Sequence, residues 1–169
     1  MNSDADLVLP RRVVVHSGRV HFRPAAEADL EQLVAVQAEG SVVALAEVFP
    51  QATHPFPHEE ILDRWRAELA DPDVAAYVST DDRGRVTGFA ARRHDELLHF
   101  GTALRTWGTG LATDLHDALL ATYPAHVDRL WLTVFEQNPR ARRFWEKQGW
   151  RPTGRSSRTI YPPHPVLLE

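Results

Sequence analysis

The 169-residue chain contains no cysteine. Disulfides, thiolate metal sites and a catalytic thiol are therefore excluded. It has no apolar run near the roughly 20 residues that span a bilayer. Its formal net charge of −4 provides no polybasic face for nucleic acid or anionic lipid. The opening stretch, MNSDADLVLPRR, is acidic before it is basic and does not read as a secretory signal. A cytoplasmic protein with neither nucleic-acid nor membrane partners is expected. Two nucleotide-binding signatures are also missing. The dinucleotide fingerprint needs a glycine three places after Gly110, where Thr113 stands, and no Lys-Ser or Lys-Thr follows to make a P-loop.

The remaining composition is ordinary, with 43% apolar and 25% charged residues, enough for one domain over 1–169 with a real core. RRVVVHSGRVHFRP reads as two short strands about Ser17-Gly18, the second from Arg19 to Arg23. AAEADLEQLVAVQAEG reads as a helix with Ala26, Leu30, Leu33 and Val34 as its apolar stripe and Gly40 as its stop. After a helical turn and a proline-rich loop, a second helix runs from about His58 to Ala70 with Ile61, Leu62, Trp65 and Leu69 on one face. DVAAYVST and RVTGFAARR flank a DDRG hairpin turn, and ELLHFGTA is a further strand. Leu111, Leu115, Ala118 and Leu119 share one face of the next helix. RLWLTVF is a single strand, and NPRARRFWEKQGW a helix with Asn138 as N-cap, Pro139 first and Gly149 just past its end. WRPTG and the segment near TIY or VLLE are expected to close the sheet. The fold class is α/β, a central mixed sheet flanked by helices.

The stretch RTWGTGLA stands at a strand-to-helix turn. The first turn of a helix has unpaired N–H groups and partial positive charge, and glycines let a phosphate approach them. Gly108 and Gly110 suit that role, with Thr109 able to add a hydroxyl; a plain turn is the other reading.

Two motifs together resemble the GNAT superfamily of acyl-CoA-dependent N-acyltransferases. The family's cofactor loop, Q/R-x-x-G-x-G/A, is matched with Trp107 in the Gln/Arg place, Gly110 in the first Gly place and Ala112 in the Gly/Ala place. A shifted frame through Arg105, Gly108 and Gly110 also fits. The second motif, N-x-x-A-x-x-L-Y-x-x-x-G-F, is matched by Asn138, Ala141, Phe144, Gly149 and Trp150. The resemblance spans about residues 20–154. It implies acetyl-CoA as donor, with pyrophosphate on the amides of Trp107, Gly108, Thr109, Gly110, Leu111 and Ala112. It implies a pantetheine arm lying like an added strand beside Glu96–Ala103, facing Asn138, with Phe144 and Trp145 near the thiol. The amine acceptor should enter beside the helical region between Gly40 and Ala70. Backbone N–H groups near Gly101 and Thr102, at the strand end that includes Ala103, are the oxyanion candidates.

Without cysteine, direct attack in a ternary complex is the natural mechanism. Glu96 and His99 are the candidate bases. Strict alternation puts Glu96, Leu98, Phe100 and Thr102 on one face and Leu97, His99 and Gly101 on the other. The family's usual Tyr is Trp145 here, and an indole N–H cannot protonate a thiolate; water or Tyr161 is left to do so. His54 and His58 lack further metal ligands, so no metal is expected. Arg140, Arg142, Arg143 and Lys147 read as a solvated face or as contacts to the 3′-phosphate. The readings of function are N-acetylation of a small primary amine, N-acetylation of a protein or peptide, a non-catalytic acyl-CoA-binding module, or a tRNA-acetylating toxin, which the net charge disfavours. A homodimer is compatible with the resemblance.

Overall fold

The computed structural model describes residues 15–17 and 20–169. Gly18, Arg19 and the chain before Val15 lie outside the described residues, and with them the start of the first expected strand. Six strands form one sheet in chain order: β1 Val15–Ser17, β2 Val20–Pro24, β3 Val74–Thr80, β4 Val86–Arg93, β5 Glu96–Thr102 and β6 Trp131–Leu132. The first five are antiparallel neighbours, and β5 pairs with β6 in parallel. A second sheet of three strands has the order β7 Val134–Phe135, β9 Val166–Leu168, β8 Ser156–Arg158. Four helices complete the fold: α1 Leu30–Ala44, α2 His58–Ala70, α3 Leu111–Leu120 and α4 Pro139–Lys147. No helix among the described residues is long and apolar enough to cross a membrane.

Alternation along the strands divides the core in two. One side packs Val78 and Phe89 against Leu30, Leu33 and Val34 of α1 and Ile61, Leu62 and Trp65 of α2. The other packs Phe22, Ala90 and Leu97 against Leu115 and Leu119 of α3 and Trp145 of α4. Trp65 is fully buried and satisfies its indole by donating to Gln37 Oε1 at 2.8 Å.

Three expectations need correction. Gly40 does not stop α1, which runs on to Ala44; it faces the Trp107 ring, so packing decides here over the intrinsic cost of glycine in a helix. Ala26 is exposed, because the chain passes through a 3-10 turn at Glu27–Asp29 before α1 begins. RLWLTVF is two strands, not one: Thr133 separates β6 from β7, and the halves join different sheets.

The entry to α1 is fixed by one carboxylate. Arg23 donates to both oxygens of Asp29 at 2.7 Å, and the Ala26 amide donates to Oδ2 at 2.8 Å. The Arg23 hydrogen bonds are the largest cause holding the Asp29 carboxyl below its ordinary value. The folded pKa is lowered, so the contribution is present above the ordinary carboxylate range and is lost as pH falls through the folded value. Asp29→Ala should lower stability by about 2 kcal/mol at pH 7, discounted for the partly exposed arginine. In urea unfolding, the difference from the parent protein should shrink as the pH is taken below 4.

Candidate active site

The site is organised by strand β5, which is seven residues long but pairs with β6 only at Glu96 and Leu97, opposite Trp131 and Leu132. Beyond that point the chain turns away into β7, whose partner is β9. The two neighbours part like a V, and the edge of β5 from His99 to Thr102 has no strand beside it among the described residues. On its other edge β5 pairs with β4, Phe89 opposite Gly101 and Gly88 opposite Thr102. The Ala103 amide donates to Thr87 O at 2.8 Å. In an antiparallel ladder every second residue bonds the same partner. Gly101 therefore points its amide at β4, while Phe100 and Thr102 turn theirs to the open edge. Gly101 is thereby removed from the oxyanion candidates and Thr102 retained, joined by Phe100. Ala103, expected beside the cofactor, turns away from the open edge: it is fully buried, its amide donates to β4, and its carbonyl accepts from the Thr106 amide and hydroxyl. Gly101 is required for packing, since a Cβ there would lie 2.5 Å from the Phe89 ring.

A bulge alters the facing of side chains along β5. Ala91 pairs with His99 and Arg92 with Leu97, so Leu98 is the extra residue. Leu97 and Phe100 pack towards α3 and α4, whereas Leu98 and His99 both pack towards α2. Strict alternation had separated Leu98 from His99 and placed Phe100 on the face of Leu98; the bulge overturns both.

At the wide end of the V lies the glycine turn. Gly108 and Gly110 have φ of 80° and 93°, and Gly110 is the N-cap of α3. No hydrogen bond among the described residues engages the amides of Gly108, Gly110 or Ala112, and the Leu111 amide has only a 3.4 Å contact with Thr109 Oγ1. The amides of Trp107 and Thr109, expected in the same cradle, are instead committed to Leu104 O and Thr106 O at 3.2 Å. The Thr109 hydroxyl donates to Thr106 O at 2.6 Å and is not free to donate to a ligand. These 3-10 turns use alternate donors and leave the others unpaired. A Cβ on Gly108 or Gly110 would meet no protein atom within 4 Å, so the space before these amides is open. Trp107 donates its indole N–H to Thr102 O at 3.1 Å, and the Arg140 guanidinium stacks on its ring at 3.9 Å. Arg140 is thus engaged with an aromatic ring and is not simply part of a solvated face.

His99 lies beneath the narrow end. Its Nε2 meets both oxygens of Glu68, from α2, at 2.8 Å, and its ring lies 4.8 Å from that of Trp65. A carboxylate only accepts, so Nε2 carries the proton and Nδ1 keeps its lone pair. Nδ1 makes no hydrogen bond among the described residues. Burial is the largest cause lowering the His99 pKa from 6.5, opposed by Glu68. Glu96 is pushed up from its ordinary value, chiefly by burial and further by the negative charges of Asp95 and Glu68. Glu68 was not among the expected site residues. Its signal was a carboxylate inside the apolar stripe of α2, between Trp65 and Leu69.

The other side is aromatic. Phe144 stacks on Phe100 at 5.6 Å, and Trp145 meets Phe100 edge-on at 5.1 Å. Trp145 is buried in the core among Leu97, Leu132 and Trp150, so its first role is packing. Asn138 caps α4 by accepting from the Ala141 amide at 3.1 Å, which uses its carbonyl oxygen. Tyr161 packs against the α1–α2 side, across the sheet from Trp145. Among the described residues no group of three or more His, Cys, Asp or Glu could hold a metal ion.

The sequence pattern of the Acetyltransferase (GNAT) family matches residues 42–150, more than half of the chain. A search of curated proteins gives no match. Among solved structures the chain is similar to apo-form YjaB from Escherichia coli, with 25% identity, 88% of this chain and 94% of that one covered, and a TM-score of 0.68. It is similar in fold to PaiA N-acetyltransferase from Thermoplasma acidophilum in complex with coenzyme A, at 16% identity, 88% and 96% coverage and a TM-score of 0.61. It is likewise similar to spermidine N-acetyltransferase from Vibrio cholerae in complex with CoA and spermine, at 15% identity, 88% and 92% coverage and a TM-score of 0.63. With its parted strands, its glycine turn and this match, the chain belongs to the GNAT family of acetyltransferases.

Proposed function

We propose that the protein transfers the acetyl group of acetyl-CoA to a primary amine of a small molecule, by direct attack in a ternary complex. The observation that carries this reading is the open edge of β5 ending beside unpaired amides at the mouth of α3. An extended pantetheine arm suits such an edge as an added strand. A pyrophosphate suits the amides of Gly108, Gly110 and Ala112, at the positive end of the helix. Acetyl-CoA supplies an activated thioester; the chain supplies position and proton transfer. The Phe100 and Thr102 amides at the open edge are the donors available to negative charge developing on the acyl oxygen.

In this reading His99 takes the proton that the acceptor ammonium must lose. Glu68 fixes the ring and its tautomer, as a carboxylate does for a histidine base elsewhere. The nitrogen–carbon bond forms, the carbon–sulfur bond breaks, and the thiolate takes a proton from solvent. Trp145 has no titrating group to offer, and Tyr161 packs on the other side of the sheet from it. The rate should fall as pH drops through the lowered His99 pKa, because protonation removes the lone pair. The readings as a peptide acetyltransferase or a silent acyl-CoA binder remain as outcomes of the same assays.

Three measurements test the proposal. Acetyl-CoA at a hundred times its Kd should raise the melting temperature by roughly 5–10 °C. Gly110→Val should remain folded yet bind CoA at least about tenfold more weakly, because a branched side chain obstructs the amides and strains a positive φ. Unchanged affinity would reduce the glycines to a turn. Thiol release with a panel of amines should fall roughly 10²–10⁴-fold in His99→Gln, with the acidic limb of the pH profile abolished and acetyl-CoA binding retained. A loss below tenfold with the limb intact would move the base to Glu96.

A further inference from the structure

His99, Glu68 and Arg64 form one charged cluster beneath the narrow end of the V, and the proposed reaction uses only the first two. Arg64 lies one turn before Glu68 on α2, with Nε 3.9 Å from Glu68 Oε1, an ion pair too long for a hydrogen bond. Its Nε and Nη2 are closed to solvent and have no hydrogen-bond partner among the described residues. Both oxygens of Glu68 meet Nε2 of His99 at 2.8 Å, and among the described residues His99 is the only hydrogen-bond partner of that carboxylate. Arg64 therefore faces Glu68 with a charge and leaves the hydrogen bonds to the imidazole. The side chains of His99 and Glu68 are 15% and 11% exposed, so solvent ions screen these charges poorly.

The charges of the three groups cancel only while His99 is neutral. A proton added to His99 leaves a net positive charge in a largely buried space. Without Arg64 the balance reverses: a neutral His99 leaves the Glu68 carboxylate alone, and a proton on His99 completes a buried ion pair. We infer that Arg64 is a positioning residue for the base: by balancing the Glu68 carboxylate it keeps His99 neutral, with the proton on Nε2 and the lone pair on Nδ1. This rests on the reading of His99 as base and adds to it the group that holds the base ready. Burial lowers the His99 pKa most, and Arg64 and Arg93 of β4 lower it further, against the raising effect of Glu68. Arg93 is answered by Asp71, whose Oδ2 accepts from its Nη2 at 3.2 Å, whereas Arg64 is answered by Glu68 alone among the described residues. Glu96, further back on β5, is pushed up chiefly by burial and also by the Glu68 charge, so it offers the imidazole no cation.

Nitrogen NMR of protein labelled in its histidine rings tests this without any substrate. The chain has nine histidines, and the His99 signals are those lost in His99→Gln. In the parent protein at pH 7 His99 should be neutral with its proton on Nε2. In Arg64→Met its titration should move up by at least about one pH unit, tenfold in proton affinity. Arg64→Lys keeps the charge and should return most of that shift. The double variant Arg64→Met/Glu68→Gln removes both charges and should return it too. A His99 titration unmoved in Arg64→Met, or moved equally by Arg64→Lys, would overturn the role. Arg64→Gln takes the place of Arg64→Met if that variant does not fold, and failure of both to fold would make Arg64 a structural ion pair and overturn it as well. With an amine that releases thiol, the acidic limb of kcat/KM should move up by the same amount as the titration, with acetyl-CoA affinity unchanged. A shifted titration beside an unshifted limb, or beside no thiol release at all, counts against His99 as base or against acetyl transfer, while the hold of Arg64 on His99 is sustained.

Discussion

Two parallel strands that separate after two paired residues govern this molecule. A β-edge presents unpaired N–H and C=O groups and is ordinarily covered, twisted away or charged. Here β5 is left open from His99 to Thr102 because the neighbouring chain leaves at Thr133 to join another sheet. The opening is held from both sides. On one face Phe144 and Trp145 press against Phe100, and on the other Trp65 and Phe89 meet edge-on beneath His99 and Gly101. Across the gap Phe49, from the segment between α1 and α2, packs edge-on against Phe135 of β7 at 5.6 Å. Closure of the V would require repacking all three contacts, and tightly packed interiors resist such change.

The bulge at Leu98 is the second device. One extra residue turns His99 towards α2, where Glu68 can hold it, and leaves Phe100 facing the aromatic side. Without it His99 would lie on the α4 side, away from Glu68 and Trp65. The same strand therefore offers backbone donors along its edge and, from its face, the imidazole of His99, the base in the proposed reaction. Glu68, which holds the His99 ring, thus lies on the same stripe of α2 that packs the core, and Arg64, one helical turn away, is its ion-pair partner.

Much of this was legible in the residues. The period of the apolar positions gave α2 its bounds, and Asn138, Pro139 and Gly149 marked both ends of α4. The glycine pair located the turn before α3, although which amides remained free depended on 3-10 bonds that no spacing announces. Three features were hidden. A bulge leaves no mark on a run such as ELLHFGT, because each residue is compatible with either facing. The split at Thr133 is a matter of which sheet each half joins, which is set by contacts distant in sequence. Glu68 stands inside the apolar stripe of α2, but its pairing with His99 appears only when β5 is laid against that helix. Gly40 misled because its helix-stopping tendency is weak beside the packing of α1 on Trp107.

The account stands or falls on whether the open edge of β5 receives the pantetheine arm. Amide hydrogen exchange resolved by residue, with and without CoA, tests it most directly. Phe100 and Thr102 point their amides to the open edge and should slow markedly when CoA is bound, by at least about tenfold, while Gly101, already paired with β4, should change little. Binding of CoA with exchange at Phe100 and Thr102 left unchanged would contradict the account.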